Sequence, residues 1–319
     1  MTDRENSSTR VGILDLYLQS STPNVTSTQK MHDLYILLPV HNRYSITQHF
    51  IQHLQRQTFQ DYHLVLLDDG STDGTATMVE AAIPNLTIIR GIGDWWWAGA
   101  LHQGYLWLKK QKFDYNPVIL IMNDDTEFDT DFLQNGLSQI KNKSNTLLMA
   151  ECHQKGNIGK GTKINWQQFK FRPVQNNETP DCFCTSALFL QWQTFEKIGS
   201  FYPRLLPHYI SDYEFTYRAK RKGFQLLTNP NVIISWDNEN TGHHHLNNFI
   251  APTFQQSLQK FFSQKSAHNP VTFSIFIWLA CPWYLKLWNW SIVWTKAFVK
   301  IFYLLWQTTI SNQKSPIVH

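Results

Sequence analysis

Beyond Glu239 the chain of 319 residues contains no aspartate or glutamate, while Lys260, Lys265, Lys286, Lys296, Lys300 and Lys314 remain. The unremarkable formal charge of +4 therefore conceals a last quarter that is purely basic. Cysteine is scarce as well. Cys152, Cys182, Cys184 and Cys281 have neither the spacing of a metal site nor the density of a disulfide framework, which fits a reducing compartment. No basic segment followed by an apolar run opens the sequence, so no secretory signal is visible. Long apolar runs are missing too. The uncharged stretch from Val271 to Leu285 is short for crossing a bilayer and is broken by Pro282. Gly91-Ile92-Gly93 lacks the third glycine of a dinucleotide-binding loop, because Trp96 stands in its place, and this weakens a nucleotide-dependent oxidoreductase reading.

Aromatic residues, by contrast, are abundant. Thirteen tryptophans supply either a Trp-rich core or surfaces that hold flat apolar or sugar-like partners. The pattern from residue 34 alternates short apolar runs with helical periodicity. Strands are expected at Leu34–Val40, His63–Leu67, Leu86–Ile89 and Val118–Met122, and helices at Ser45–Gln57, Gly74–Ala82 and Trp97–Lys112. Such alternation implies a mostly parallel sheet flanked by helices, with ligands beyond the carboxyl ends of the strands. The loops that matter are then Pro39–Arg43, Asp68–Thr75, Gly91–Trp97 and Asn123–Asp129. Residues 151–180 read as an irregular excursion, Cys182–Leu190 as a strand whose cysteines pack, Ser211–Lys222 as a helix stopped by Gly223, and Gln225–Ser235 as one or two short strands. Residues 1–30, polar apart from Val11–Leu18, are expected to be a flexible arm.

Three constellations carry chemistry. The run from Asp68 through Asp69 and Gly70 to Thr75 follows an apolar strand, where a carboxylate can accept hydrogen bonds from a ligand, or where the run simply makes a turn and a helix cap. Asn123-Asp124-Asp125 follows another strand. Adjacent carboxylates repel unless a cation bridges them, and hard oxygen ligands suit Mg²⁺ or Mn²⁺. Asp212, at an expected helix start, is placed to act as a general base, or else to complement the helix dipole, with Glu214 and Arg218 as a surface pair four residues apart.

Together these runs resemble glycosyltransferase family 2, the inverting family with the GT-A fold, over about Leu34 to Phe224. In order they are Leu-Pro-Val-His-Asn-Arg at 38–43, Gln-Thr-Phe-Gln-Asp-Tyr at 57–62, the Asp68–Thr75 run, Asp-Trp-Trp-Trp-Ala-Gly-Ala at 94–100, Asn123-Asp124-Asp125, and Ser-Asp-Tyr-Glu-Phe from Ser211. The Trp run and Leu206-Pro207-His208-Tyr209 look like the rhamnosyltransferase-like branch. The resemblance implies a metal-dependent hexosyl or deoxyhexosyl transfer from a nucleoside-diphosphate sugar of UDP or dTDP type to a hydroxyl of a glycan or lipid-linked acceptor. Nucleic acid is not an expected partner. By the same resemblance Asp212 is the catalytic base; Pro39, His41, Asn42, Asp69, Asp94, Trp97 and Asp124 contact the donor; Asp125 binds the metal; and Tyr213 and Glu214 lie near the acceptor. The usual Asp-x-Asp begins here with an amide, Asn123, which lowers the expected metal affinity. His243 or His245 can complete the metal shell, a neutral imidazole being a competent ligand. Of the three consecutive tryptophans, one is expected to bind and two to pack.

In the tail, Lys286, Asn289, Lys296, Lys300 and Gln307 fall on one stripe of a helix whose remaining surface is aromatic and aliphatic, with Pro282 as a helix opener. Such a helix suits a membrane interface, with lysines reaching anionic headgroups; a helical pair covering the core or a dimer contact is the alternative. The expected organisation is thus an arm at 1–30, a GT-A (Rossmann-like) α/β catalytic domain at 31–250 and a membrane-associating helical segment at 251–319. The expected place of work is peripheral, on the cytoplasmic side of the plasma membrane, in cell-envelope polysaccharide synthesis. A catalytically silent membrane adaptor that keeps the fold is the competing reading.

Overall fold

The computed structural model describes residues 32–154, 156–175, 178–236, 249–251 and 253–313. The expected arm at 1–30 and both His243 and His245 lie outside the described residues. Strands β1 (Leu34–Val40), β2 (Tyr62–Asp68), β3 (Leu86–Arg90) and β4 (Val118–Met122) alternate with helices α1 (Tyr44–Gln55), α2 (Thr75–Ala82) and α3 (Trp96–Lys110). After them come β5 (Thr126–Glu127), α4 (Phe132–Ile140), β6 (Thr146–Gln154), β7 (Asn157–Gly159), β8 (Thr162–Asn165), β9 (Lys170–Pro173), β10 (Ala187–Gln191), α5 (Trp192–Ile198), α6 (Ser211–Arg221) and β11 (Gln225–Trp236). The main sheet runs β3-β2-β1-β4-β10-β6-β11-β5, with β7 on β6. The first four strands pair in parallel, and β10 runs antiparallel to both neighbours.

Period-two alternation explains the layers. On β1, Leu34, Ile36, Leu38 and Val40 face one core with Phe50, Ile51 and Leu54 of α1 and Phe132, Leu133 and Leu137 of α4. Tyr35 and Leu37 face the other, with Leu101, Tyr105 and Leu108 of α3, Phe195 of α5 and Phe215 of α6. Both faces are covered, so these strands are apolar at nearly every position, as a buried parallel sheet requires. Val40 lies opposite Asp68, and Asp68 opposite Arg90, so the loops after β1, β2 and β3 leave the sheet side by side. Pro39 stands inside β1; the pairing with β4 ends at Leu37, where no donor is demanded of the imino nitrogen.

Two stretches differ from the sequence expectation. Residues 151–180 are not irregular, since they hold the end of β6, β7 and the β8–β9 hairpin. These strands are short and half-exposed, so they lack the apolar alternation that would announce them. The strand expected from Cys182 begins only at Ala187; Phe183 instead exchanges hydrogen bonds with Thr216 Oγ1 of α6. The cysteines do pack: Cys182 is fully buried, burial drives the Cys182 thiol pKa strongly upward, and that of Cys184 is pushed up to about 12.

Helices α7 (Phe254–Phe261), α8 (Pro270–Ala280) and α9 (Lys286–Gln313) complete the chain. Pro270, not Pro282, opens a helix at its first turn, with the Asn269 side chain accepting from Val271 N at 2.9 Å; Pro282 precedes a short 3₁₀ turn. Phe276 and Ile277 of α8 join Ile164, Phe169 and Cys182 in a separate cluster, which attaches these helices to the hairpin. The polar stripe of α9 faces partly inward. Asn289 is fully buried, Lys300 bonds His268 Nδ1 at 2.9 Å, and Lys286 donates to Trp278 O. Much of what α9 and the turn before it expose is apolar: Trp283 is 83% and Phe302 73% exposed, alongside Leu287, Trp288, Phe298 and Trp306, with Lys296 exposed among them. No helix among the described residues is long and apolar enough to cross a membrane.

Candidate active site

The Asp68–Thr75 loop is tied to the loop after β1. Asp68 accepts from Ser71 N at 2.9 Å, Asn42 Oδ1 from Thr72 N at 2.8 Å, and Asp73 from Tyr44 N at 2.9 Å. His41 Nδ1 bonds the Asp69 carbonyl, and its Nε2 meets Asn42 Nδ2. Gly70 has φ +72°, and a Cβ there would stand 2.8 Å from Gly93 N, so only glycine lets this loop approach the one after β3.

The family resemblance implies that Asp69 contacts the donor. Both its oxygens are occupied: Oδ1 accepts from Gly93 N at 2.9 Å, and Oδ2 from Trp95 N at 2.9 Å and Trp96 N at 3.0 Å. Asp69 thus sits on the amino-terminal amides of α3, where the helix dipole favours an anion. The space is made by Gly91, whose added Cβ would meet Asp69 Oδ1 at 2.6 Å. The three tryptophans then diverge. Trp95 packs beside Gly99, Trp96 adopts φ +55° with its ring 5.8 Å from that of His208, and Trp97 Nε1 donates to Asn123 Oδ1 at 2.9 Å. Asp94 goes a different way. It lines a groove of 510 Å³ with Arg90, His102 and Arg204 on the flank of α3.

At the end of β4 the two carboxylates are bridged, as charge repulsion demands, but by an arginine of the chain. Arg43 Nε lies 2.9 and 3.0 Å from the Asp124 oxygens, and its other nitrogen 3.4 Å from Asp125 Oδ2. Thr47 Oγ1 donates to Asp124 at 2.8 Å. Asp124 is buried, and desolvation raises its pKa against the opposing pull of Arg43. Arg43 and Thr47 together hold that carboxylate in place. Asp125 remains partly open to solvent, its side chain 19% exposed. One carboxylate combined with phosphate oxygens and water is a usual way for Mg²⁺ or Mn²⁺ to be held, so Asp125 fits such an ion. Among the described residues, the one set of three His, Cys, Asp or Glu side chains close enough to share an ion is elsewhere, at His49, His53 and Glu127.

Asp212 occupies the first turn of α6. The preceding segment is fixed by Ala98 N donating to Pro207 O at 2.9 Å, and Phe201 stacks on Phe215 while touching Trp97 edge-on. From the other side, Asn123 N donates to Ser186 O at 3.0 Å. Contacts therefore run from Asp69 through the Trp loop to Asn123, and Trp96 of the same loop meets His208, four residues before Asp212. Asp212 accepts from its neighbour Tyr213 N at 2.8 Å, but desolvation dominates and carries its pKa to about 7. A carboxylate so tuned takes up a proton readily near neutral pH. His208 is pushed the other way, down to about 4, chiefly by burial.

Tyr213 and Glu214 are both engaged by other parts of the chain. Tyr213 Oη bonds Thr162 Oγ1 at 3.1 Å on the β8–β9 hairpin. Glu214 is buried in a bidentate pair with Arg218 at 2.8 and 3.1 Å, and Arg218 also donates to Ile198 O and Ser200 O. The expected surface pair is therefore an internal one. Sequence reasoning missed Arg43 and Thr47. A signal was there: Arg43 is the only Lys or Arg in the four strand-end loops, and a buried acidic pair needs a cation.

The glycosyl transferase family 2 sequence model matches residues 35–194. No curated protein matches the sequence. Among solved structures, GalNAc-T7 with UDP, GalNAc and Mn²⁺ superposes with a TM-score of 0.55 at 13% identity, over 74% of this chain and 49% of that one. The chain thus spans about half the length of that protein. The mannosyltransferase PcManGT from Pyrobaculum calidifontis, in complex with GDP-Man and Mn²⁺, superposes with a TM-score of 0.50 at 14% identity, over 95% of this chain and 86% of that one. The architecture shared with these structures is the GT-A fold.

Proposed function

The chain belongs to glycosyl transferase family 2, and on that ground we propose that it moves a sugar, with inversion, from a nucleoside-diphosphate sugar to a hydroxyl of a lipid-linked or polysaccharide acceptor. The observation that carries the reading is the Trp loop that joins Asp69 to Asn123 and reaches His208 just before Asp212, with a carboxylate at Asp212 whose pKa is raised to about 7. Asp212 takes the proton of the acceptor hydroxyl as that oxygen attacks the anomeric carbon. Asp69 holds the Trp loop in place, and only its remaining lone pairs are left for a nucleobase N–H. His41 and Asn42, fixed to the Asp69 carbonyl and to Thr72, form the wall beside it. Asp125 holds Mg²⁺ or Mn²⁺, which, when bound, stabilises the charge of the departing diphosphate as a Lewis acid. The UDP or dTDP type of donor and the rhamnosyltransferase-like branch are supported by the Trp run and by Leu206–Tyr209.

Residues 251–319 are the attachment segment in this proposal, and the surface they meet is a membrane. Support comes from the aromatic and aliphatic side chains exposed along α9, which suit the interfacial region, and from the lysines without any counter-acid in that part of the chain. Four free thiols are consistent with the cytoplasmic side. The test is a panel of sugar nucleotides assayed for diphosphate release, with Mn²⁺, with Mg²⁺ and with chelator, using membrane extract as acceptor source. Release that depends on acceptor and metal is expected for one donor class; no turnover of any donor defeats the proposal.

A further inference from the structure

A second cluster of metal-ligating side chains lies on the flank of the sheet, apart from the rim. His49 and His53 sit one turn apart on α1, and Glu127 belongs to β5, which follows Asp125 by one residue. His49 Nε2 is 3.3 Å from His53 Nε2 and 3.3 Å from Glu127 Oε1. A tetrahedral ion with bonds of about 2.05 Å separates its ligands by roughly 3.3 Å. The three ligand atoms all fall within 4.8 Å of one another.

The hydrogen bonds of the cluster favour a cation. His53 Nδ1 lies 3.1 Å from the Phe128 carbonyl, which can only accept, so Nδ1 carries the proton and a neutral His53 presents a lone pair at Nε2. This outer bond to a backbone carbonyl is the arrangement that orients metal-bound imidazoles. Glu127 Oε1 presents lone pairs as well. Between these two acceptors His49 Nε2 has at most one proton, so one close contact always lacks a donor. A single ion satisfies all three atoms at once. Two imidazoles and a carboxylate suit a borderline ion such as Zn²⁺ better than Mg²⁺ or Ca²⁺. The cluster is partly exposed, so an ion can enter and a water can take the fourth position.

We infer that His49, His53 and Glu127 form a Zn²⁺ site that braces helix α1 against β5. The brace matters because of its neighbours: α1 carries Thr47, and Arg43 precedes it, and these two hold Asp124, while β5 continues directly from Asp125. The ion would fix the spacing between the arginine and the carboxylates it bridges. Nothing in this inference depends on the reaction proposed above.

The test uses the full chain with zinc as the probe. Purified wild type, His53→Ala and Glu127→Gln are dialysed against equal free Zn²⁺, and bound metal is counted by atomic absorption. Any zinc on His243–His245 is common to all three, so the difference between variants is what counts. Wild type should hold one Zn²⁺ more than His53→Ala, with at least roughly 100-fold tighter binding, beyond the 10–100-fold that outer-shell changes cost. Its melting temperature should rise with Zn²⁺ more than that of either variant. Co²⁺ in place of zinc should give wild type the intense visible bands of four-coordination. Glu127→Gln, a near-isostere, covers the case in which His53→Ala fails to fold. Equal zinc content in wild type and Glu127→Gln, or an octahedral cobalt spectrum, overturns the inference.

Discussion

Replacing Asp212 by Asn should cost activity and add stability, and the two effects share one cause. The surroundings of Asp212 raise its pKa from an ordinary 3.8 to about 7, chiefly by desolvation. At roughly 1.36 kcal/mol per decade, that difference is a ceiling of about 4 kcal/mol by which the ionised carboxylate strains the folded chain. Asp212 keeps some contact with solvent, so about 2 kcal/mol is the working expectation. Because the folded pKa is the higher one, the folded state binds the extra proton between pH 3.8 and about 7, and stability falls as pH rises through that window. Asparagine, neutral at every pH, escapes the loss. The variant should therefore match wild type near pH 4, gain on it up to about pH 7, and hold a constant lead above, worth roughly 4 °C in melting temperature. Transfer should drop by about 10²–10⁴-fold, the usual contribution of a general base, while donor affinity stays unchanged. Wild-type turnover should climb with pH to a plateau above about 7. Thermal melts from pH 4 to 8, with turnover assays on the same samples, decide it. A lead that does not vary with pH, or a variant less stable than wild type at pH 8, refutes the reasoning.

Arg43→Met strands Asp124 without its cation. We expect a loss of about 3 kcal/mol in urea unfolding at pH 8, the low end for breaking a buried pair. The deficit should shrink as pH falls, since a protonated Asp124 needs no counter-charge and keeps Thr47 as its partner. For the tail, Trp283→Ser with Phe302→Ser removes two of its most exposed aromatic side chains. Co-sedimentation with anionic phospholipid vesicles should weaken by at least about tenfold, given roughly 1.5–3 kcal/mol per buried large apolar side chain. Unchanged partitioning would turn attention to a protein partner for α9.

The parallel half of the sheet was legible because its strands are buried on both faces and its helices carry a clear period; β1 and β4 fall where the apolar runs do. The strand-end carboxylates were legible for the same reason, since each closes an apolar run. What stayed hidden depends on pairing across distance. Sequence spacing shows that Asp69 ends a strand, but not that three amides 24 to 27 residues later will take up its oxygens. The polar stripe of α9 was found correctly, yet a helix period does not say which side faces the protein. Asn289 turned inward to Leu285 O and Cys281 Sγ, and Lys300 to His268 between α7 and α8, leaving the aromatic side out.

The bridging of Asp124 and Asp125 by Arg43, and the seating of Asp69 on the amides of α3, have a joint electrostatic effect. Both cationic resources of the four strand-end loops are already committed to anions of the chain itself. Any polyanion that settles at this edge finds no unspent positive charge in those loops and must arrive with a counter-ion of its own. Occupancy should therefore track the concentration of divalent salt more steeply than that of the polyanion.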